Sequence, residues 1–319
     1  MSLLEIKNLK KYFQVTGGML HAVDDVSLSV EDGETLGIVG ESGCGKSTLG
    51  KTAVRLEDPT SGEIWFNGAN IADISVRQFM PYRTKLQMIF QDPFSSLDPR
   101  MTVSQIIGEP LKLFKVCKSK NEYNSRIREL MDTVGIASRL ENVYPHEMDG
   151  GRRQRVGIAR ALALDPKLIV CDEPVSALDV SIQAQVLNLL QDLQQEKKLT
   201  YLFITHNLSV IRHISNQICV MYLGRIVEQC QTKELFRNTI HPYSQALLSA
   251  IPQVGMHNRK ERIILKGEIA SPINPAPRCR FAPRCNYSEE RCFMEEPEMR
   301  DVGSGHYVAC HKSEEFFGH

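Results

Sequence analysis

Gly40-Glu41-Ser42-Gly43-Cys44-Gly45-Lys46-Ser47-Thr48 fills every fixed position of the phosphate-binding pattern G-x-x-x-x-G-K-[ST]. The apolar run Thr35-Leu36-Gly37-Ile38-Val39 before it predicts a buried strand, and Lys46 to Arg55 after it predicts a helix. The loop therefore sits at a helix N-terminus, where free backbone N–H groups and the positive end of the helix dipole favour phosphate. In that setting the stretch binds a nucleoside triphosphate: Lys46 reaches the β- and γ-phosphates and the Ser47 hydroxyl holds Mg²⁺.

The chain has 319 residues, enough for one large domain and a smaller one. Lys plus Arg and Asp plus Glu are equal at 38 each, unlike the basic footprint of a nucleic-acid binder. No apolar run approaches the roughly 18 residues of a membrane span. Met1-Ser2-Leu3-Leu4-Glu5 lacks the basic start and apolar core of a signal peptide. A soluble, cytosolic protein is expected, with any membrane role exercised through partners. In that compartment thiols stay reduced, so Cys44, Cys117, Cys171, Cys219 and Cys230 read as small apolar residues.

Leu4 to Leu9 and Ala22 to Val30 alternate like half-buried strands, and Glu31-Asp32-Gly33 turns the chain into the strand that feeds the phosphate loop. This predicts an antiparallel edge joined to a βα core. Tyr12 and Phe13 are placed between these first two strands, where an aromatic either stacks on an adenine ring or ends a strand. Gly62 to Phe66 is another strand. Leu86-Gln87-Met88-Ile89-Phe90-Gln91 is a buried one that opens into a loop at Asp92-Pro93. From Val103 to Leu164 the periodicity turns helical, about sixty residues of insert. Leu168-Ile169-Val170-Cys171-Asp172-Glu173 puts two acids at a strand's C-terminal end, where α/β sheets bind ligands. Asp172 suits Mg²⁺ held through water, and Glu173 suits proton acceptance from an attacking water. Tyr201 to Thr205 is a further buried strand, ending at His206, a residue that is otherwise just a polar terminus.

Six motifs in order, from about Leu3 to Gln229, give the chain its resemblance: the phosphate loop, Gln91, Asp149-Gly150-Gly151-Arg152-Arg153-Gln154-Arg155, Asp172-Glu173, Ser176-Ala177-Leu178-Asp179 and His206. Together they resemble the nucleotide-binding subunit of an ABC transporter. That resemblance implies a P-loop α/β cassette with a RecA-like core, an antiparallel β edge and a helical insert. It aligns Tyr12 with the adenine-stacking position, and Gln91 with the glutamine that senses Mg²⁺ and the attacking water. Asp149, Gly150, Gly151 and Arg152 fall on the signature that contacts the partner's ATP. Glu173 falls on the catalytic glutamate, Ser176 to Asp179 on the loop that crosses to the partner, and His206 on the histidine contacting the γ-phosphate. The family works as a head-to-tail dimer, which implies a second ATPase chain, two permease subunits and, indirectly, an external solute-binding protein. The location implied is the cytoplasmic face of the membrane.

His241-Pro242-Tyr243-Ser244-Gln245-Ala246-Leu247-Leu248, Ala270 to Pro275 and Phe90 to Arg100 resemble the peptide- and nickel-type importers, in particular their second ATPase subunit. The expected division is a cassette over residues 1–232, with its helical subdomain at about 92–160, and an extension over 233–319. The alternative is an accessory ABC ATPase of a cytosolic complex, of the iron–sulfur assembly or carbon–phosphorus lyase type. The cargo is not written in this chain.

Cys279, Cys285, Cys292 and Cys310, with five, six and seventeen residues between them, end the sequence as a group. Four thiolates hold either zinc or an iron–sulfur cluster, and the missing C-x₂₋₄-C pair does not favour zinc. By the resemblance these cysteines hold a [4Fe–4S] cluster, which would cross-link a short segment with few apolar residues.

One position departs from the family. The signature usually has a serine before its two glycines, donating to the γ-phosphate across the dimer; here it is Asp149. A carboxylate about 4 Å from phosphate costs on the order of 4 kcal/mol per charge pair at an effective dielectric of 20. The expectation is a heterodimer with one active and one slow ATP site.

Overall fold

The computed structural model describes residues 2–251, 262–267 and 270–316. The chain forms two compact units, one of Met1–Asp73 with Phe203–His319 and one of Ile74–Leu202.

The first unit begins with a long antiparallel hairpin, β1 (Ser2–Val15) and β2 (Gly18–Glu31). Leu4, Ile6 and Leu9 are buried on β1, although strict alternation would not place Leu9 with the other two. A register shift between Ile6 and Leu9, with Asn8 at φ 46°, returns Leu9 to the core. The Glu31–Glu34 turn leads into β3 (Thr35–Val39), whose five residues are all buried, as a parallel strand covered on both faces requires. After α1 (Lys46–Ala53) come β4 (Ser61–Phe66) and β5 (Ala69–Asn70), completing an antiparallel sheet of order β2-β1-β4-β5. The expected antiparallel edge is thus a four-stranded sheet. Tyr12 and Phe13 lie within β1 rather than between two strands, because β1 runs six residues past Leu9 with its twist renewed at each bulge.

The second unit holds α2 (Val76–Arg83), β6 (Leu86–Ile89), α3 (Val103–Leu113), α4 (Lys120–Thr133), α5 (Gly150–Leu162), β7 (Leu168–Asp172), α6 (Val180–Lys197) and the start of β8 (Thr200–Ile204). β6 and β7 pair in parallel from Leu86↔Leu168 to Ile89↔Cys171, so both strands end at the same level. The helical insert buries one apolar stripe per helix: Val103, Ile106, Ile107 and Leu111 on α3, and Ile127, Leu130 and Met131 on α4. Between α4 and α5 the chain makes two short 3₁₀ turns, so the predicted run of helix is three helices and a connector.

The first unit resumes with α7 (Leu208–Ile214), β9 (Gln217–Tyr222), β10 (Arg225–Gln231), α8 (Thr232–Arg237) and α9 (Pro242–Ser249). β9 runs parallel to β3 and antiparallel to β10. The chain's end adds α10 (Glu290–Met294), β11 (Arg300–Asp301), β12 (Tyr307–Val308) and α11 (Ser313–Phe316), with β12 pairing onto β10. Glu228 fastens this end. Its fully buried carboxylate accepts from the Ile240 and His241 amides at 2.8 and 3.3 Å and lies 2.8 Å from His306 Nε2. A buried charge is tolerated when hydrogen-bonded in this way.

Candidate functional site

The phosphate loop leaves β3 at Gly40 and enters α1 at Lys46. Gly45 sits at φ 104°, and a Cβ there would lie 1.9 Å from the Ala22 carbonyl oxygen. Only glycine permits both the left-handed backbone and that approach to β2. Lys46, 5 % exposed, donates its Nζ to the Gly40 and Glu41 carbonyls at 2.8 and 2.9 Å, closing the loop into a ring. α1 has no side-chain cap and no acid in its first turn, so its N-terminal dipole is not neutralised locally. Burial pushes the Cys44 thiol up, consistent with a packing role.

Tyr12 stacks on His21 with ring centroids 3.9 Å apart, and its hydroxyl donates to Asp24 Oδ1 at 2.5 Å. Asp24 also faces His21 Nδ1 at 3.1 Å, Arg225 at 3.6 Å and Arg280. Burial alone would raise its carboxyl, but the bonds from Tyr12 and His21 and the two guanidinium charges hold it down at about 2. The same burial, with the Asp24 bond, pushes the Tyr12 phenol well up. In this unit His206 is exposed one residue beyond Thr205, whose N–H donates to Ile38 on β3 at 3.1 Å. It therefore stands at the strand end from which the phosphate loop departs.

In the second unit the aligned ends of β6 and β7 bring Gln91 and Glu173 together, with Gln91 Nε2 donating to Glu173 Oε2 at 2.9 Å. Asp172 is the buried last residue of β7. Glu173 has φ 44°, a strained conformation for a non-glycine residue of the kind that clusters at functional sites. The Ser176 amide and hydroxyl both donate to the Glu173 carbonyl, at 3.2 and 3.1 Å, so the loop from Ser176 to Asp179 is folded back on the acid before α6 begins. Leu178 and Ile182 in turn crowd Gly150 and Gly151, where added Cβ atoms would approach them to 3.2 and 2.6 Å. Asp149 is the N-cap of α5: its carboxylate accepts from the Arg152 amide at 2.8 Å and pairs with Arg152 Nε at 3.4 Å.

Residues 23–176 match the family model described as ABC transporter, and residues 227–292 match the one described as oligopeptide/dipeptide transporter, C-terminal region. The oligopeptide transport ATP-binding protein AppF of Bacillus subtilis is 49 % identical over 97 % of each chain. OppF of the same organism is 48 % identical over 98 % of this chain and 97 % of its own.

The chain belongs to the ABC transporter family of ATP-binding proteins. Its ABC cassette also resembles a solved dimeric cassette, MJ0796, in a post-hydrolysis state bound to ADP and Pi, with TM-score 0.66 and 30 % identity over 72 % of this chain and 98 % of the other. As an ABC ATPase it uses ATP and Mg²⁺. Among the described residues no helix is long and apolar enough to cross a membrane.

Among the described residues no group of three or more His, Cys, Asp or Glu is placed to hold a metal ion. Instead, Cys279, Cys285, Cys292 and Cys310 all line one small cavity, with His241, Phe281 and Tyr287 among its other walls. All four are free thiols. Burial, with the neighbouring thiols adding to it, pushes Cys279 up to about 11 and Cys310 up to about 12.

Sequence reading missed the contacts that the ABC extension makes with the nucleotide elements. The His241-Pro242-Tyr243 motif has a local logic: His241 Nδ1 caps α9 by accepting from the Tyr243 amide at 3.1 Å, and Pro242 occupies the first helical turn. Tyr243, fully buried, then accepts from the Glu41 amide with its hydroxyl oxygen at 2.8 Å. Arg284 grips the Glu41 carboxylate with both terminal nitrogens. The available signal was two arginines immediately inside the Cys279 and Cys285 pair.

Proposed function

We propose that this ABC ATPase is the ATP-hydrolysing subunit of an importer of peptides or related solutes. It works as a head-to-tail heterodimer with a second ATPase subunit, on the cytoplasmic face of two permease subunits that receive solute from an external binding protein. The observation that carries this reading is similarity over 97 % of the chain to AppF, whose name specifies oligopeptide transport. The C-terminal match at residues 227–292 favours it over an accessory ATPase of a cytosolic complex. The division into a cassette at 1–232, with its helical subdomain at about 92–160, and an extension at 233–319 is part of the same proposal.

In this reading Tyr12 stacks the adenine with the ring face that His21 leaves open, and Gly40 to Thr48 cradle the phosphates. The Lys46 amine, which donates to the loop's own Gly40 and Glu41 carbonyls, exchanges them for phosphate oxygens. Ser47, Gln91 and Asp172 are the residues that would hold Mg²⁺, which when bound would supply positive charge against the phosphates. Glu173 accepts the proton of the attacking water, held in place by Gln91, and His206 donates to the γ-phosphate. Asp149 to Arg152 and the Ser176–Asp179 loop face the partner's nucleotide. Because the Asp149 carboxylate occupies the Arg152 amide, it competes with phosphate for the start of α5, which supports a heterodimer in which one site is slow.

The shared cavity of the four cysteines supports a structural [4Fe–4S] cluster, zinc being the alternative. The test of the function is ATP-dependent uptake of labelled di- and oligopeptides by the complex in proteoliposomes. Uptake that requires Lys46 is expected; ATPase activity without uptake of any peptide contradicts the reading.

A further inference from the structure

Cys279-Arg280-Phe281-Ala282-Pro283-Arg284-Cys285 lies in the extension, yet both of its arginines end on the nucleotide elements of the same unit. Its backbone is pinned, since the Cys279 amide donates to the Cys292 and Glu295 carbonyls at 3.1 Å each. Arg280, its guanidinium nearly enclosed, donates to the Leu223 carbonyl and to Asp24, the carboxylate that holds the Tyr12 hydroxyl. Arg284 makes a two-pronged pair with Glu41, at 2.8 and 3.1 Å, and only the planar guanidinium fork fits a carboxylate in this way. Between them Phe281 packs edge-on against Tyr222 at 5.3 Å and at a tilt against Tyr243 at 5.5 Å. Tyr243 is the residue that accepts from the Glu41 amide, and the Glu41 carbonyl accepts from Lys46. Every polar group of Glu41 is thus fixed, two by the extension and one by the lysine that serves phosphate.

We propose that Arg280 and Arg284 are positioning residues for ATP: Arg280 sets Tyr12 through Asp24 at the adenine end, and Arg284 sets the phosphate loop through Glu41. The extension is thereby part of the nucleotide site, not only an appendage to the cassette. The proposal rests on the assignment of Tyr12 and the phosphate loop to ATP. It also separates the two arginines, because an inorganic triphosphate uses the loop but has no base to stack.

Binding of ATP and of inorganic tripolyphosphate to the full-length chain, measured by isothermal titration beside thermal melting, tests it. Arg280→Ala should weaken ATP about tenfold and leave tripolyphosphate unchanged. Arg284→Ala should weaken both about tenfold, Arg284→Lys should recover only part, and Glu41→Gln with Arg284→Ala should be no worse than either alone. If an alanine variant does not fold, Arg280→Gln, Arg284→Lys and Glu41→Gln carry the same comparison. Equal weakening of both ligands in both variants, in step with a lower melting temperature, overturns the proposal, as does no change in either ligand. Wild-type chain that binds ATP no better than Lys46→Ala would overturn the site assignment itself, and the proposal with it.

Discussion

Gln91 Nε2 and Glu173 Oε2 are 2.9 Å apart, a hydrogen bond between residues 82 positions apart in the chain. It exists because β6 and β7 are parallel neighbours that stop at the same level, so the residues just past their ends meet. The bond also fixes the amide's orientation: its nitrogen faces the acid, and its carbonyl oxygen is the atom left for a metal or a water.

Asp149 gives the first prediction. As the N-cap of α5 it is replaceable by serine but not by alanine, so Asp149→Ala should lower unfolding free energy by about 1 kcal/mol and Asp149→Ser by much less. In the assembled complex, Lys46→Ala should abolish most ATP turnover, and replacing the partner's phosphate-loop lysine should cost far less. Equal losses from the two replacements, or an ATPase rate untouched by Asp149→Ser, would show that the two sites are alike.

His241 gives a pH dependence. Burial lowers its pKa to about 4, with the Glu228 charge only partly opposing, against 6.5 for the ordinary side chain. Below about pH 6.5 the unfolded chain takes up a proton that the folded chain refuses, so stability is full above that value and falls toward pH 4 by up to about 1.4 kcal/mol per unit. Protonating Nδ1 would also remove the acceptor that caps α9. His241→Asn, which retains a capping acceptor and does not titrate, should flatten denaturant-unfolding stability between pH 6.5 and 5; an unchanged slope would assign the acid sensitivity to other groups.

The cysteine cavity gives a third. Protein purified without oxygen should be brown and carry about four irons per chain, and Cys292→Ser should lose them. Stoichiometric zinc with no iron, or no metal at all in protein never exposed to air, would leave the four residues as packed thiols.

The legible parts of this molecule were those whose chemistry is local. The phosphate loop, its strand and its helix occupy the consecutive residues Thr35 to Ala53, and the acids at the end of β7 follow an unbroken apolar run, so pattern and structure coincide. Tyr12 was misplaced within its strand because bulges break the alternation that defines strand limits. Asp149 was read only as a signature position, and its role as the N-cap of α5 is visible in the structure alone. The grip of Arg284 on Glu41 spans 243 positions and depends on the extension folding back into the first unit, which no local pattern encodes.

The most direct measurement is ATP hydrolysis and nucleotide retention by the purified complex carrying Glu173→Gln. Loss of a general base costs roughly 10²- to 10⁴-fold in rate, while the phosphate loop, Tyr12 and Lys46, the groups proposed to bind ATP, are untouched. The account predicts ATP retained unhydrolysed in a closed dimer with turnover down by at least about a hundredfold. Near-normal turnover in that variant would contradict it.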